Sequence, residues 1–109
     1  MIKVSVNGAL GRMGSTVCGA VLDDSETELV DSVDFNSKDN QTTNNKTIHS
    51  SYEYLSSKNK PDVIVDFTNR EGLLDLAKIA SPLGIYIVSG STGLLEDDYD
   101  VLEKLSNEN

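Results

Sequence analysis

Ile2-Lys3-Val4-Ser5-Val6-Asn7-Gly8-Ala9-Leu10-Gly11-Arg12-Met13-Gly14 is the stretch whose reading decides the fold. Ile2, Val4 and Val6 alternate with Lys3 and Ser5, the period of a strand with one face buried. Gly8, Gly11 and Gly14 follow at once. A helical pattern then takes over and sets Met13, Val17, Ala20 and Val21 on one face. A glycine at the end of a strand permits a tight turn, a second lets the backbone approach a pyrophosphate, and a third lets the helix pack close to the sheet. The free amides of the helix N-terminus then face the phosphates. The spacing is GxxGxxG and not the commoner GxGxxG, so its weight comes from its place at the first strand-to-helix turn.

The remainder continues the alternation. Asp23-Asp24-Ser25 ends the first helix, and Leu29, Val30 and Val33 mark a second strand that closes on Asp34. Residues 36–47 hold no strongly hydrophobic residue and are punctuated by Asn36, Asn40, Asn44 and Asn45, which reads as a solvated loop. A short helix is expected around Ser51–Leu55. Pro61 introduces Asp62-Val63-Ile64-Val65-Asp66-Phe67, a β-branched run suited to a buried parallel strand. Leu73, Leu76, Ala77 and Ala80 then share a helix face, with Thr68 and Glu71 as a capping box or Asn69 as the cap. Pro82 and Gly84 break that helix, Ile85-Tyr86-Ile87-Val88 forms strand four, and Gly90-Ser91-Thr92-Gly93 turns. A last helix starts near Glu96-Asp97-Asp98, acids that suit a helix N-terminus, with Val101, Leu102 and Leu105 toward the core. Strand and helix alternating about four times predict an α/β, Rossmann-like, doubly wound parallel sheet, cut short after about four such units and forming one domain over residues 1–109.

Composition narrows the function classes. A net charge of −9 over 109 residues repels nucleic acid and anionic membranes, so neither is an expected partner. The same field repels phosphates, so a nucleotide must be held by local donors. No apolar run approaches the ~20 residues needed to span a bilayer. The N-terminus reads as a strand, not as a signal peptide, and the one cysteine, Cys18, excludes an internal disulfide; both readings place the chain in the cytoplasm.

Three sites are candidates for chemistry. Gly8, Ala9, Leu10, Gly11, Arg12 and Met13 form the phosphate-facing turn, in which Arg12 would supply a cation that the acidic surface lacks. Asp34 ends strand two 20 residues after Gly14, the place from which a carboxylate hydrogen-bonds an adenosine ribose. Its carboxylate accepts from a 2′-hydroxyl and repels a 2′-phosphate, and Phe35 follows where an Arg would receive that phosphate. This favours NADH, with NADPH as the second candidate and Lys38 as the nearby cation. Gly90, Ser91 and Thr92 end the fourth strand, which in a doubly wound sheet lies across the switch point from the first; their size leaves room for a flat ring. Asp66-Phe67-Thr68 closes strand three at the same edge, where Thr68 as a cap and Phe67 as core are sufficient readings. His49 reads as a solvated loop residue, Cys18 as core, and the acids at 96–100 as a solvated helix start. No metal ligand set is expected.

Taken together these motifs resemble the dihydrodipicolinate (4-hydroxy-tetrahydrodipicolinate) reductases. The family pattern of a strand followed by G-x-x-G-R-M-G stands as Gly8–Gly14. Its D-F-T stands as Asp66-Phe67-Thr68, and its G-T-T-G as Gly90-Ser91-Thr92-Gly93 with Ser for the first Thr. The resemblance covers the chain outside residues 36–50. It implies hydride transfer from NAD(P)H to a cyclic dicarboxylate in lysine and diaminopimelate biosynthesis. The turn at Gly8–Met13 would hold the pyrophosphate, Asp34 the ribose, and Gly90–Thr92 the nicotinamide side. The family's His-His…Lys and Ala-Pro-Ser-Gly-Thr segments, which supply proton donor and substrate carboxylate site, have no counterpart here. No catalytic residue is therefore assigned, and the chain alone is expected to bind cofactor without turnover. Strand four, lacking an outer neighbour, is expected to invite self-association. The competing reading is a stand-alone nucleotide-binding or redox-sensing module.

Overall fold

Strand β1, Ile2–Asn7, runs through the middle of the sheet and sets the layout of everything else. Its Val4 and Val6 point to one face, where they pack with Ala9, Cys18, Val21, Leu29 and Ile48. The opposite face carries a second cluster of Val33, Tyr52, Leu55, Ile64, Leu76, Ala80 and Ile85. In this computed structural model, which describes residues 1–38, 42, 43, 46–91 and 93–108, the chain is a parallel sheet with a core on each side.

The further elements are α1 (Arg12–Asp23), β2 (Thr27–Leu29), β3 (Ser32–Val33), β4 (Thr42–Thr43), β5 (Lys46–His49), β6 (Val63–Asp66), α2 (Arg70–Ala80), β7 (Tyr86–Ser89) and α3 (Glu96–Glu108). The sheet order is β4-β5-β3-β1-β6-β7, with β2 also paired to β1. All of these pairings are parallel except β4 with β5. The chain winds outward from β1 to β3 on one side and to β6 and β7 on the other. The switch point therefore falls at the carboxyl end of β1, as the alternation of elements predicts.

Several expectations are corrected in detail. The second strand is two short strands interrupted at Val30–Asp31, where the Val30 amide still bonds the Val4 carbonyl at 2.9 Å. The polar stretch after Asn36 is not all loop: β5 pairs with β3, Ser32 opposite Ile48 and Val33 opposite His49. That strand is carried by backbone pairing and by one core residue, Ile48, so a search for hydrophobic runs passes over it. The buried side of α1 is Gly14, Cys18 and Val21 with Val17 beside them, whereas Met13 and Ala20 are exposed. The glycine at position 14, not a bulky residue, lets the first turn of α1 lie against the sheet. The α2 face stands as expected, and Asn69 is its cap, accepting the Gly72 amide at 2.8 Å. The short helix is a single 3-10 turn at Tyr52–Tyr54, capped by Ser51. On α3, Leu102 and Leu105 are half-buried but Val101 is exposed.

Asp98 also departs from expectation. It is 3% exposed, not solvated, and its carboxylate takes the Nε and Nη2 of Arg70 at 2.5 and 2.8 Å and the Leu95 amide at 2.7 Å. The Arg70 hydrogen bonds, followed by the Leu95 amide, hold its carboxyl below the usual carboxylate value, and the Arg70 guanidinium is raised in turn. This fork fastens the start of α3 to the start of α2.

Candidate dinucleotide site

The crevice at the switch point is built from strand ends. β1 ends at Asn7 and the chain turns at Gly8 with φ +89°, a conformation that L side chains rarely adopt. The Gly8 and Ala9 amides bond the Val33 carbonyl at 2.8 and 3.1 Å, so the turn is tied to β3. A Cβ on Gly8 would stand 2.7 Å from the Phe67 carbonyl, and one on Gly14 would overlap the Gly8 carbonyl. Only glycine fits at either position, and the backbone is bare where a ligand would approach. The first intrahelical bond of α1 runs from the Ser15 amide to the Gly11 carbonyl at 2.9 Å, so the amides of residues 12 to 14 precede the ladder and point out of the helix end.

Asp34 lies at the rim of this turn and is 8% exposed. One carboxylate oxygen accepts the Leu10 amide and the other the Asn36 amide, each at 2.9 Å. Each oxygen has a second lone pair, so the group can brace the glycine turn and still accept from a ligand hydroxyl. Phe35 is 56% exposed, with its ring centroid 5.1 Å from that of Tyr52. The crevice, about 380 Å³, is lined by Asn7, Gly8, Gly11, Asp34, Thr68 and Gly72, among others. An apolar hollow of about 540 Å³ between Phe35, Tyr52 and Ile79 adjoins it. A further cavity of about 440 Å³ lies between α2, α3 and β7, away from the glycine turn.

Of the residues singled out from sequence, Ala9 is buried, while Leu10, Gly11, Arg12 and Met13 are exposed, Gly11 among the residues that line the crevice. Gly90 is exposed and packs its bare α-carbon on the Phe67 ring. Ser91 is half-buried, with its hydroxyl turned inward. Thr92 lies outside the described residues. His49 is neither a loop residue nor freely solvated: it ends β5, its ring stacks on Tyr54 at 3.9 Å and 5°, and its Nε2 meets Asp31 Oδ2 at 3.0 Å. Cys18 is buried, which raises its thiol pKa and suits a core role. Among the described residues no cluster of His, Cys, Asp and Glu could hold a metal ion, and no helix is long and apolar enough to cross a membrane.

Sequence reasoning missed a row of polar residues beneath the crevice. Asn7, Asp66 and Ser89 stand side by side across β1, β6 and β7. Asn7 Nδ2 donates to Asp66 Oδ1 at 2.9 Å and to the Tyr52 hydroxyl at 2.8 Å, and that hydroxyl donates to the Gly72 carbonyl at 3.1 Å. Burial, set against the Asn7 bond, pushes the Tyr52 phenol up to about 12, so it stays protonated as a donor. The signal available in the sequence was a polar residue ending each of three strands, Asn7, Asp66 and Ser89.

A parallel sheet wound outward in both directions from β1, with a bare glycine turn at its switch point, defines a Rossmann-like α/β domain of the dehydrogenase type. Residues 2–109 match the family described as "Dihydrodipicolinate reductase, N-terminus". The 4-hydroxy-tetrahydrodipicolinate reductase of Syntrophomonas wolfei is 34% identical over 97% of this chain and 42% of its own length. That of Methanocorpusculum labreanum is 37% identical over 98% and 43%. The dipicolinate-bound dihydrodipicolinate reductase from Paenisporosarcina sp. TG-14 superposes with a TM-score of 0.82 at 23% identity, covering 96% of this chain and 43% of that one. The WlbA dehydrogenase from Bordetella pertussis, in complex with NADH and UDP-GlcNAcA, shares the fold with a TM-score of 0.76 at 20% identity over 98% and 34%. The chain belongs to the dihydrodipicolinate reductase family, one of NAD(P)H-dependent oxidoreductases, and corresponds to its N-terminal domain. It spans less than half the length of these relatives.

Proposed function

We propose that this chain supplies the cofactor half of an NAD(P)H-dependent reduction of 4-hydroxy-tetrahydrodipicolinate, a cyclic dicarboxylate. The observation that carries the reading is the turn at Gly8–Gly14. Two positions there exclude a Cβ, the amides of residues 12 to 14 precede the ladder of α1, and Gly8 and Gly11 line a crevice that also holds Asp34. In this reading Gly8 to Met13 cradle the pyrophosphate, with Arg12 as the local cation, and Asp34 takes the adenosine ribose. Gly90, Ser91 and Thr92 border the nicotinamide. The dinucleotide supplies the hydride when bound; the chain's own residues bind and orient it. The proton donor and the dicarboxylate site are assigned to no residue of this chain, so it binds cofactor without turning over.

Asp34 favours NADH over NADPH. Its carboxylate, buried and held by the Leu10 amide, would repel a phosphate on the ribose it is proposed to take, and Phe35 offers that phosphate no hydrogen bond. The reading places the chain in the cytoplasm and leaves β7 as a surface for self-association. Isothermal titration of the 109-residue chain with NADH, NADPH and a pyridine dicarboxylate tests the proposal. NADH should bind, and NADPH should bind about ten-fold more weakly, the order expected of a carboxylate facing a phosphate at an exposed edge. Absence of heat with either dinucleotide, or NADH oxidation by this chain alone on addition of substrate, would refute it.

A further inference from the structure

We propose that Asp66 is a positioning residue of the crevice and that it acts through Ser91, fastening the turn after β7 to the sheet edge that carries the glycine turn. This rests on the cofactor reading, in which Gly90 and Ser91 border the nicotinamide half. Asp66 is fully buried, and its carboxylate has no cationic partner among the described residues. Oδ1 accepts from Asn7 Nδ2 at 2.9 Å and the Thr68 hydroxyl at 2.6 Å. Oδ2 accepts from the Ser89 hydroxyl at 2.8 Å and the Ser91 hydroxyl at 2.6 Å. The hydroxyl protons of Ser89 and Ser91 are directed at Asp66 because each oxygen also accepts a backbone amide: Ser91 N at 3.0 Å for Ser89, and Thr68 N at 3.2 Å for Ser91. The Gly90 amide bonds the Asp66 carbonyl at 2.9 Å.

One carboxylate therefore joins the ends of β1, β6 and β7 to the turn that follows. Neutral donors on all four positions keep a buried charge satisfied and hold each donor in place. Ser91 is the last of these ties along the chain, and a Cβ on Gly93, two residues on, would meet nothing within 4 Å. The glycine turn, which lines the crevice, has independent supports in Val33 and Asp34. The two halves of a bound dinucleotide should thus respond differently when the Ser91 tie is cut.

Ser91→Ala in the 109-residue chain tests this, with NADH and ADP as probes. NADH affinity should fall about ten-fold, the size of a lost hydrogen bond to a charged acceptor, while ADP affinity stays within about two-fold. Ser91→Thr, which keeps the hydroxyl, should restore NADH binding. Equal losses for NADH and ADP, no loss for either, or a Ser91→Thr variant that behaves like Ser91→Ala would overturn the assignment. If the wild-type chain binds no NADH, the cofactor reading falls and amide hydrogen exchange decides the tie instead. The Thr68 and Ser91 amides should then exchange faster in Ser91→Ala, with Val6 and Ile64 still protected. Unchanged protection at Thr68 and Ser91 would overturn it.

Discussion

In the proposed reading, position 35 is where a single side chain would set the choice between two cofactors. Asp34 accepts the Leu10 and Asn36 amides, one on each oxygen, so its carboxylate is held in place, and under the proposed reading it would stay facing a 2′-substituent. Phe35 beside it is more than half exposed and contributes a ring face but no donor. A guanidinium there would present a forked donor to a 2′-phosphate and would offset the charge of Asp34. Phe35→Arg is therefore expected to raise NADPH affinity by about ten-fold, the scale of one charge-assisted contact at an exposed site. NADH affinity should change little. Titration of wild type and variant with both dinucleotides checks it, and an unchanged ratio would remove Asp34 and Phe35 from the account of specificity. The place of Asp34 and Phe35 beside the glycine turn was legible from sequence, because both follow the second strand. The inward turn of the Ser91 hydroxyl was not legible, because a hydroxyl in a glycine-rich turn gives no sign of which way it faces.

At the scale of elements, what could be read from sequence depended on how each one is held. β1, β6 and α2 are held by runs or faces of apolar side chains, Val4 and Val6, Ile64, and Leu73 with Leu76, Ala77 and Ala80, and such periodicity is visible in a sequence. β5 is held by backbone pairing with Ser32 and Val33, by Ile48 in the core and by His49 against Tyr54 and Asp31, which together leave no periodic signal. The start of α3 was read as solvated acids for a similar reason, since the partner of Asp98 is Arg70, 28 residues away. Folding holds the Asp98 carboxyl below its ordinary value, so the pair contributes fully above the ordinary carboxylate value and is lost as pH falls through the lowered one. Asp98→Asn should therefore loosen α3 at neutral pH and speed proteolysis of residues 94–108 several-fold. The difference in melting temperature between variant and wild type should narrow as the pH is lowered through the carboxylate range. A difference that stays constant down that range would show that the Arg70–Asp98 fork is not what docks the helix.

The whole molecule is unevenly covered. α1 lies over β1 and β2 on one face, while α2 and α3 lie over β7 and the 3-10 turn after α2 on the other. On the α1 side, the far end of the sheet has no helix above it among the described residues: Tyr86 is 76% and Val88 60% exposed, next to half-buried Val63 and Val65 in register with them. β7 also ends the sheet order, so one of its edges has no strand partner among the described residues. An apolar face joined to an open edge is what templates pairing with another strand, and β7 carries no charge between Tyr86 and Ser89 to oppose it. A net charge of −9 disfavours close approach of two copies, so association should strengthen with salt, the opposite of an ion-paired interface. Sedimentation of the 109-residue chain should show a concentration-dependent shift toward dimer that grows with ionic strength. Val88→Lys should return it to monomer, since a charge on the open apolar face opposes pairing, and Val88 has no part in the proposed cofactor site. A wild-type chain that stays monomeric at high concentration and high salt would mean that β7 is covered by something other than a second copy, or tolerates exposure.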